Sequence, residues 1–205
     1  MNHGSRRTFL ALVTAASIGL AVAPARAAKV GEAAPDFTAK DSNGKTVSLS
    51  QLRGKLVVLE WHNQDCPFVV KHYASGNMQK LQKEWTGKQV VWLSIISSAP
   101  GKQGHVDGAG ANLDVEKHKA APTATLLDPK GELGRLYGAK TTPHMFVIGK
   151  DGKLLYNGAI DDKPTTDPGD IAAAKSYITQ ALTEAAAGKP ISTPTTPPYG
   201  CSVKY

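Results

Sequence analysis

Two apolar runs of strand length, separated by a helix-compatible segment, constrain the fold more than any other feature of this sequence. The first run covers residues 56–61, and the second, QVVWLSII, covers residues 89–96. Each is almost continuously apolar, which is typical of a strand buried on both faces of a sheet. Residues from about Asn63 to Glu84 carry apolar side chains at roughly helical spacing. The pattern therefore predicts a right-handed crossover between two parallel strands of one sheet.

The flanking segments predict strands and helices that extend this unit on both sides. Before it, residues 30–50 predict a hairpin with a tight turn at Asn43-Gly44. After it, the sequence predicts a loop over residues 100–112, a helix over about 113–119, a strand over 123–128 and a helical turn through 137. A hairpin over 143–160, which turns at Asp151-Gly152, and a closing helix over about 168–187 follow. The fold class is thus α/β, with a mixed four-stranded sheet, an N-terminal hairpin extension and helices on both faces.

The first 27 residues have the composition of a cleaved export signal. Residues 5–27, SRRTFLALVTAASIGLAVAPARA, combine an arginine pair, an apolar stretch and a small-x-small ending. Residues 5–10 resemble a twin-arginine motif, and an ordinary secretory signal is the alternative. We expect cleavage after Ala27 and a periplasmic or otherwise exported product.

Removal of the signal leaves 178 residues (205 − 27), enough for one domain with its own core. We expect a domain over residues 28–188 and a Pro/Thr-rich tail over residues 189–205. The net charge falls from +7 to +4, because 21 of the 24 basic residues and all 17 acidic residues remain. The basic residues are scattered among acidic ones, so a nucleic-acid partner is not expected. The apolar stretch over residues 9–23 is shorter than the ~20 residues of a membrane-spanning helix, and we expect no membrane span in the mature chain.

Cys66 is the candidate reactive thiol, because it follows the first buried strand and precedes the predicted helix. A helix N-terminus lowers the pKa of a thiol through unpaired N–H groups and the positive end of its dipole. Asn63 suits the N-cap, and its amide would be able to donate a hydrogen bond to the sulfur. We expect Lys71 and His72 on the helix surface, since neither shares the helical face of Cys66. We expect His62 as a solvated loop residue, and a base that approaches Cys66 from the loop is the alternative. A buried, inert cysteine is the alternative.

Several segments resemble proteins of the thioredoxin-like superfamily. The order of elements over about residues 29–187 resembles the thioredoxin fold, and residues 31–55 resemble the N-terminal segment of peroxiredoxins. Residues 141–162, TTPHMFVIGKDGKLLYNGAIDD, resemble the second half of these proteins. The resemblance implies that the bond between Thr142 and Pro143 is cis and faces the reactive thiol. The segments DCPFVVKHY and GCSVKY resemble a bacterial branch with a Cys-Pro-aromatic-Val active segment.

Two departures from these families bear on the chemistry. In place of the Cys-x-x-Cys of thioredoxins this chain has Asn63-Gln64-Asp65-Cys66, with Asn63 in the first position, so the dithiol is missing. Peroxiredoxins carry Thr or Ser three residues before their reactive cysteine and proline four residues before that. These positions hold Asn63 and Leu59. The sequence therefore leaves open whether the substrate is a peroxide or a disulfide.

The resemblance implies a thiol-dependent oxidoreductase that is similar to peroxiredoxins and uses no cofactor. Cys66 would attack a small peroxide or a protein disulfide, and an exported thiol reductant would complete the cycle. Asn63, Trp61, Thr142 and Pro143 would shape the pocket around the thiol.

Cys201, in the tail, is the other cysteine of the chain, and three roles remain open for it. It is a candidate resolving thiol for Cys66, a partner in a permanent structural disulfide, or a free thiol. The segment from Gly188 to Cys201 spans ~40 Å when extended, so its reach does not exclude the pair. A structural disulfide would suit another function, a redox-inactive binding or metal-carrier protein. In a metal carrier, Cys66, His62 and His144 would be the candidate ligands of a copper or zinc ion.

Overall fold

The computed structural model of the chain describes residue 1 and residues 28–205. The predicted signal peptide falls almost entirely on residues 2–27, outside the described part, and it stays a prediction. No helix within the described residues is both long and apolar enough to cross a membrane.

The strands and helices follow the predicted order. The strands are β1 (Thr38–Asp41), β2 (Thr46–Ser48), β3 (Val57–Trp61), β4 (Val91–Ile96), β5 (Ala124–Leu127), β6 (Thr141–Thr142), β7 (His144–Ile148), β8 (Leu154–Gly158) and β9 (Cys201–Ser202). The α-helices are α1 (Pro67–Ala74), α2 (Asn77–Gly87), α3 (Gly108–His118), α4 (Glu132–Tyr137) and α5 (Tyr177–Ala186). Short 3₁₀ helices cover Leu49–Leu52 and Pro168–Ala173, and the second replaces the start of the predicted closing helix.

Seven of these described strands form one mixed sheet in the order β2-β1-β5-β4-β3-β7-β8. β3 and β4 pair in parallel, with Val57 opposite Val91 and Trp61 opposite Ile95, as the predicted crossover requires. β7 pairs antiparallel with β3, and β8 with β7, which completes the predicted four-stranded core. β5 pairs with β4 and β1 with β5, so the N-terminal hairpin widens the same sheet. The α/β class and the thioredoxin fold are confirmed.

The helical segments depart from the prediction at two further places. The helix expected after β3 is divided into α1 and α2, because Gly76 adopts a left-handed conformation (φ 75°) between them. α3 begins at Gly108 rather than near Leu113. The side chain of Asp107 caps α3 by accepting a hydrogen bond from the backbone N–H of Gly110 (2.8 Å).

Side chains on the two faces of the sheet form two hydrophobic core layers. They alternate along β3, so that Val58 lies in the first layer and Leu59 and Trp61 lie in the second. The first layer contains Cys66 and residues of α1, α2 and α5. The second contains residues of α4 and of the segment before β1. Helices therefore cover both faces of the sheet, as predicted.

Glu60 is the charged residue of β3, and it is completely buried. Its carboxylate accepts hydrogen bonds from Trp92 Nε1 (2.7 Å), Tyr73 OH (2.8 Å), Gln82 Nε2 (3.1 Å) and Ser94 Oγ (3.1 Å). These donors replace water around the buried carboxylate. Burial and the charge of Glu60 raise the pKa of Tyr73 well above its usual value, so the phenol keeps its proton and donates. The network ties β3 and β4 to α1 and α2.

The C-terminal tail lies along the body of the domain. Thr196 is buried, and its Oγ1 is hydrogen-bonded to the OH of Tyr156 (2.6 Å) and to the backbone N–H of Ala159 (2.9 Å). Gly158 makes room for this contact, because a Cβ atom there would lie 2.1 Å from Thr196 Oγ1. The tail is therefore part of the packed structure.

Replacement of Thr196 by Val tests how much this contact stabilises the fold. The change keeps the shape of the side chain but leaves the buried N–H of Ala159 without its partner. We expect Thr196→Val to lower the free energy of unfolding by about 1–3 kcal/mol. Thr195→Val, at the neighbouring exposed position, is the control and should change it by less than about 0.5 kcal/mol. Denaturant unfolding followed by tryptophan fluorescence measures both, and equal effects would contradict the prediction.

Candidate active site

Cys66 is the N-cap residue of α1, with an extended backbone (φ −81°, ψ 120°) and Pro67 at the start of the helix. Its carbonyl oxygen accepts hydrogen bonds from the N–H groups of Val69 and Val70, both at 2.9 Å. The residue has no exposed surface. The sulfur therefore lies at the positive end of the helix dipole, as predicted, but beneath the surface.

The prediction that Asn63 caps the helix is wrong, because the cap is Cys66. Asn63 Oδ1 accepts a hydrogen bond from the backbone N–H of Asp65 (2.9 Å) in the turn before α1. Its Nδ2 donates to the carbonyl oxygen of Gln103 (3.5 Å) and not to the sulfur. Gly104 packs against this amide, because a Cβ atom there would lie 2.2 Å from Asn63 Oδ1. Asn63 therefore anchors the loop before α3 beside the site.

The position of Cys66 also changes the comparison with a Cys-x-x-Cys motif. A helix N-terminus activates the cysteine that stands at the start of the helix. Cys66 holds that place, so the second position of such a motif falls on Val69, in the first turn. The register that put Asn63 in the first position is wrong, and Val69 stands where a second cysteine would be.

The expected cis peptide bond between Thr142 and Pro143 is present. Cys66 Sγ donates a hydrogen bond to the carbonyl oxygen of Thr142 (3.0 Å). Thr142 is buried, and its hydroxyl has no hydrogen-bond partner among the described residues. The side chain of Thr142 lowers the pKa of Cys66. The structure thus brings the threonine and proline of this loop to the thiol.

A small two-stranded sheet brings Cys201 to the same place. β9 pairs antiparallel with β6, so that Cys201 lies opposite Thr142 and Ser202 opposite Thr141. Cys66 Sγ is hydrogen-bonded to the carbonyl oxygen of the same Thr142, and Cys201 packs against the core layer that contains Cys66. Both cysteines are free thiols in this structure. Cys201 is partly exposed, whereas Cys66 is buried. The two cysteines of the chain therefore form a contact pair.

The two sulfur atoms differ in proton affinity. Burial raises the pKa of Cys66. The side chains of Cys201 and Thr142 and the backbone of Cys201 and Val69 lower it by more, so the pKa lies below its ordinary value. Burial and the neighbouring Cys66 raise the pKa of Cys201 to about 11, although Lys204 opposes them. As the pH rises, a thiolate therefore forms on Cys66 while Cys201 keeps its proton.

Residues 199–205, which we name the C-terminal strap, cover the sulfur of Cys66. Gly200 has a left-handed φ of 133° and lies so close to β6 that a Cβ atom would be 2.1 Å from the carbonyl oxygen of Thr142. At the far end, the OH of Tyr205 donates a hydrogen bond to the carbonyl oxygen of Ala139 (2.8 Å). The strap is thus fixed on both sides of the cysteine that it carries.

Buried side chains of α1 hold the upstream end of the strap. The OH of Tyr199 donates a hydrogen bond to Asp161 and lies 3.3 Å from His72 Nε2. The prediction that His72 and Lys71 are surface residues is wrong, because both are buried. The strap and the segment after β8 cover this face of α1, and Lys71 Nζ donates a hydrogen bond to the carbonyl oxygen of Lys163 (2.8 Å). Burial lowers the pKa of His72 to about 4, although Asp161 opposes this effect, so the ring is neutral at physiological pH.

Trp61 lies apart from the thiol pair. It is fully buried in the second core layer, on the face of β3 opposite to the layer that contains Cys66. Its Nε1 donates a hydrogen bond to Ser97 Oγ (3.0 Å). The alternation of side chains along a strand explains this placement, and the structure gives Trp61 a place in the core rather than in the wall of the thiol pocket.

The candidate histidine ligands are also engaged elsewhere. His62 is buried rather than solvated, and its Nε2 is hydrogen-bonded to Asp114 Oδ2 (2.9 Å). His144 Nε2 donates to Asn157 Oδ1 (2.7 Å). Within the described residues, no group of three or more His, Cys, Asp or Glu side chains is arranged to hold a metal ion.

Replacement of Cys201 by Ala and by Ser tests whether its side chain lowers the pKa of Cys66. Alanine removes the hydrogen-bond donor, whereas serine keeps one. The Cys66 thiolate is lost as the pH falls through its pKa, and we expect this loss at a higher pH in Cys201→Ala than in Cys201→Ser. Ultraviolet absorbance of the thiolate, followed across pH, measures both values. Identical titration curves would contradict a role for the Cys201 side chain.

Replacement of Gly200 by Ala tests whether the strap shields Cys66. The new methyl group would overlap the carbonyl oxygen of Thr142, so β9 has to leave β6. We expect iodoacetamide to label Cys66 at least about tenfold faster than in the unchanged protein. Gly101→Ala is the control, because Gly101 also has a left-handed φ (78°) but no atom within 4 Å of a Cβ position. The prediction fails if the two variants are labelled at the same rate.

Known proteins resemble this chain in sequence and in fold. The thiol-disulfide oxidoreductase ResA of Bacillus thuringiensis subsp. konkukian is 28% identical over 127 residues, which are 62% of this chain and 68% of that protein. An uncharacterized conserved protein from Geobacillus kaustophilus superposes with a TM-score of 0.75 at 25% identity, over 86% of this chain and 92% of that chain. The exposed lipoprotein thioredoxin of Streptococcus pneumoniae strain TIGR4 superposes with a TM-score of 0.52 at 26% identity, over 73% of this chain and 99% of that chain.

A family model identifies the group to which the chain belongs. The model of the AhpC/TSA family matches residues 30–157. This range includes Cys66 and the Thr142–Pro143 bond but ends before the strap. Since it spans more than half of the 205 residues, the protein is a member of the AhpC/TSA family.

Proposed function

We propose that this protein is an exported thiol–disulfide oxidoreductase whose two cysteines alternate between a dithiol and an intramolecular disulfide. The observation that carries the proposal is that Cys201 lies opposite Thr142, whose carbonyl oxygen accepts a hydrogen bond from Cys66 Sγ (3.0 Å), so that the two thiols are neighbours. The pKa of Cys66 is lowered and that of Cys201 is raised. Cys201 supplies the second thiol that the helix lacks at Val69. The signal-like composition of residues 5–27 supports export to a compartment where disulfides persist.

The cycle moves two electrons between the cysteine pair and a substrate. When the bond between Cys66 and Cys201 closes, the two thiols lose two protons and two electrons, and a substrate disulfide is reduced to two thiols. In the reverse direction a substrate dithiol is oxidised and the pair opens. The low pKa of Cys66 makes it a ready nucleophile in the first direction and a ready leaving group in the second.

Membership of the AhpC/TSA family favours a peroxide as a second candidate substrate. The Cys66 thiolate would attack the O–O bond and become a sulfenic acid, with release of water or an alcohol. Cys201 would then attack the sulfenic sulfur, which closes the disulfide and releases water. The contact between the thiols suits the second step. The first step requires the strap to open, because Cys66 has no exposed surface. Cys201 is partly exposed and is open to disulfide exchange without such opening, and we therefore place disulfide exchange first.

Mass spectrometry without reductant tests the proposed cycle on the mature protein. We expect oxidised glutathione to convert the reduced protein into a form that lacks two hydrogens and contains a Cys66–Cys201 bond. Mild dithiothreitol should reopen this bond. The controls Cys66→Ser and Cys201→Ser should form no intramolecular bond. A bond that resists mild reductant would instead indicate the structural disulfide of a binding or carrier protein, and the absence of any bond would contradict the proposal.

The same assay with hydrogen peroxide separates the two substrate classes. Oxidation of Cys66 much faster than that of free cysteine would support the peroxide as the substrate. A rate similar to that of free cysteine, together with rapid closure by a disulfide, would support thiol–disulfide exchange.

A further inference from the structure

We propose that partner thiols and disulfides exchange with this protein at the sulfur of Cys201, while Cys66 acts beneath it as an internal thiolate. The inference rests on the proposed redox cycle and gives the two cysteines different roles. Cys201 forms the covalent bond to the partner, and Cys66 forms a bond to Cys201 alone. This assignment differs from the sequence-based expectation that Cys66 attacks the substrate directly.

Access from solvent is the first argument. Cys66 has no exposed surface and lies between the start of α1, the cis peptide loop and the strap. Cys201 belongs to the strap and is partly exposed. In thiol–disulfide exchange the attacking thiolate has to reach the sulfur that it attacks. A partner protein that approaches the closed disulfide therefore meets the sulfur of Cys201 first.

The anchoring of the strap is the second argument. Around Cys201, backbone hydrogen bonds join Val203 N–H to the carbonyl oxygen of Lys140 (3.1 Å) and Ala99 N–H to that of Lys204 (2.8 Å). The β6–β9 pair and the tyrosine contacts at both ends of the strap add to these bonds. A route to Cys66 would have to break many of them. Exchange at Cys201 leaves them in place.

The choice of leaving group is the third argument. A sulfur of low pKa leaves more readily than one of high pKa. Attack on Cys201 expels Cys66, whose pKa is lowered by the side chain of Thr142 and by the backbone of Val69. Attack on Cys66 would expel Cys201, whose pKa is raised to about 11. Access and leaving-group ability thus favour the same sulfur.

The reaction is balanced in two steps. A partner thiolate attacks the sulfur of Cys201, the Cys66–Cys201 bond breaks, and Cys66 leaves as a thiolate. A second thiolate of the partner then attacks the partner's own sulfur in the mixed disulfide. The partner leaves as a disulfide, Cys201 takes up a proton, and the protein has gained two electrons. The reverse sequence reduces a partner disulfide.

The position of a trapped mixed disulfide tests this assignment on the unchanged protein. The oxidised protein, first shown to contain the Cys66–Cys201 bond, is mixed with excess reduced glutathione and quenched with acid at short times. Trypsin then releases the two cysteines on different peptides, since lysines separate them. We expect roughly nine-tenths or more of the bound glutathione on Cys201.

The outcomes distinguish the inference from the function on which it rests. Glutathione found mainly on Cys66, or divided evenly, overturns the inference and leaves the proposed redox cycle intact. If the Cys66–Cys201 bond cannot be formed before glutathione is added, the proposed function itself is overturned.

A second measurement uses single-cysteine proteins. Cys66→Ser retains Cys201, Cys201→Ser retains Cys66, and circular dichroism confirms that each is folded. The rate of reaction with 5,5′-dithiobis(2-nitrobenzoate) in native buffer is divided by the rate in denaturant. We expect this ratio to be at least about tenfold lower for Cys66 than for Cys201, because local opening has to precede its reaction. Similar ratios for the two thiols would overturn the inference.

Discussion

The contact between the Cys66 sulfur and the β6–β9 pair is the constraint on which the rest of the site depends. The sulfur is withdrawn from water, so protein groups alone set its charge: the N-terminus of α1, the Thr142 carbonyl and hydroxyl, and the thiol of Cys201. Each of these groups comes from a different part of the chain. The site therefore exists only when the start of α1, the cis peptide loop and the strap are docked together, and a shift of any one of them changes the thiol chemistry.

Much of the fold could be predicted because its signals are local. β3 and β4 are buried on both faces and read as continuous apolar runs, and the turns at Gly44 and Gly152 need the left-handed conformation (φ 78° and 77°) that glycine adopts easily. The break at Gly76 could not be predicted, because the apolar spacing continues across it. The place of β5 and the N-terminal hairpin in the sheet depends on strand order, which no local pattern encodes.

The candidate site was predicted in its parts but not in its contacts. Cys66, the cis proline loop and Cys201 were each identified, whereas the contact between the two thiols depends on how the tail docks. Tyr199 and His72 were missed as supports, because they are 127 residues apart and neither carries a local signal. Asn63 was identified for the N-cap position that Cys66 occupies, since the N-cap residue of a helix cannot be chosen until the first helical residue is known.

The distance along the chain between the two cysteines has a consequence for folding. Cys66 and Cys201 are separated by 135 positions (201 − 66), and four of the seven strands of the main sheet, β4, β5, β7 and β8, lie between them. Contacts between such distant residues form late, because the entropy of closing so long a loop is recovered only after the intervening elements have packed. A partly folded chain therefore carries two separate thiols that are open to intermolecular cross-linking, and the internal pair becomes available only when the polypeptide has reached its native topology.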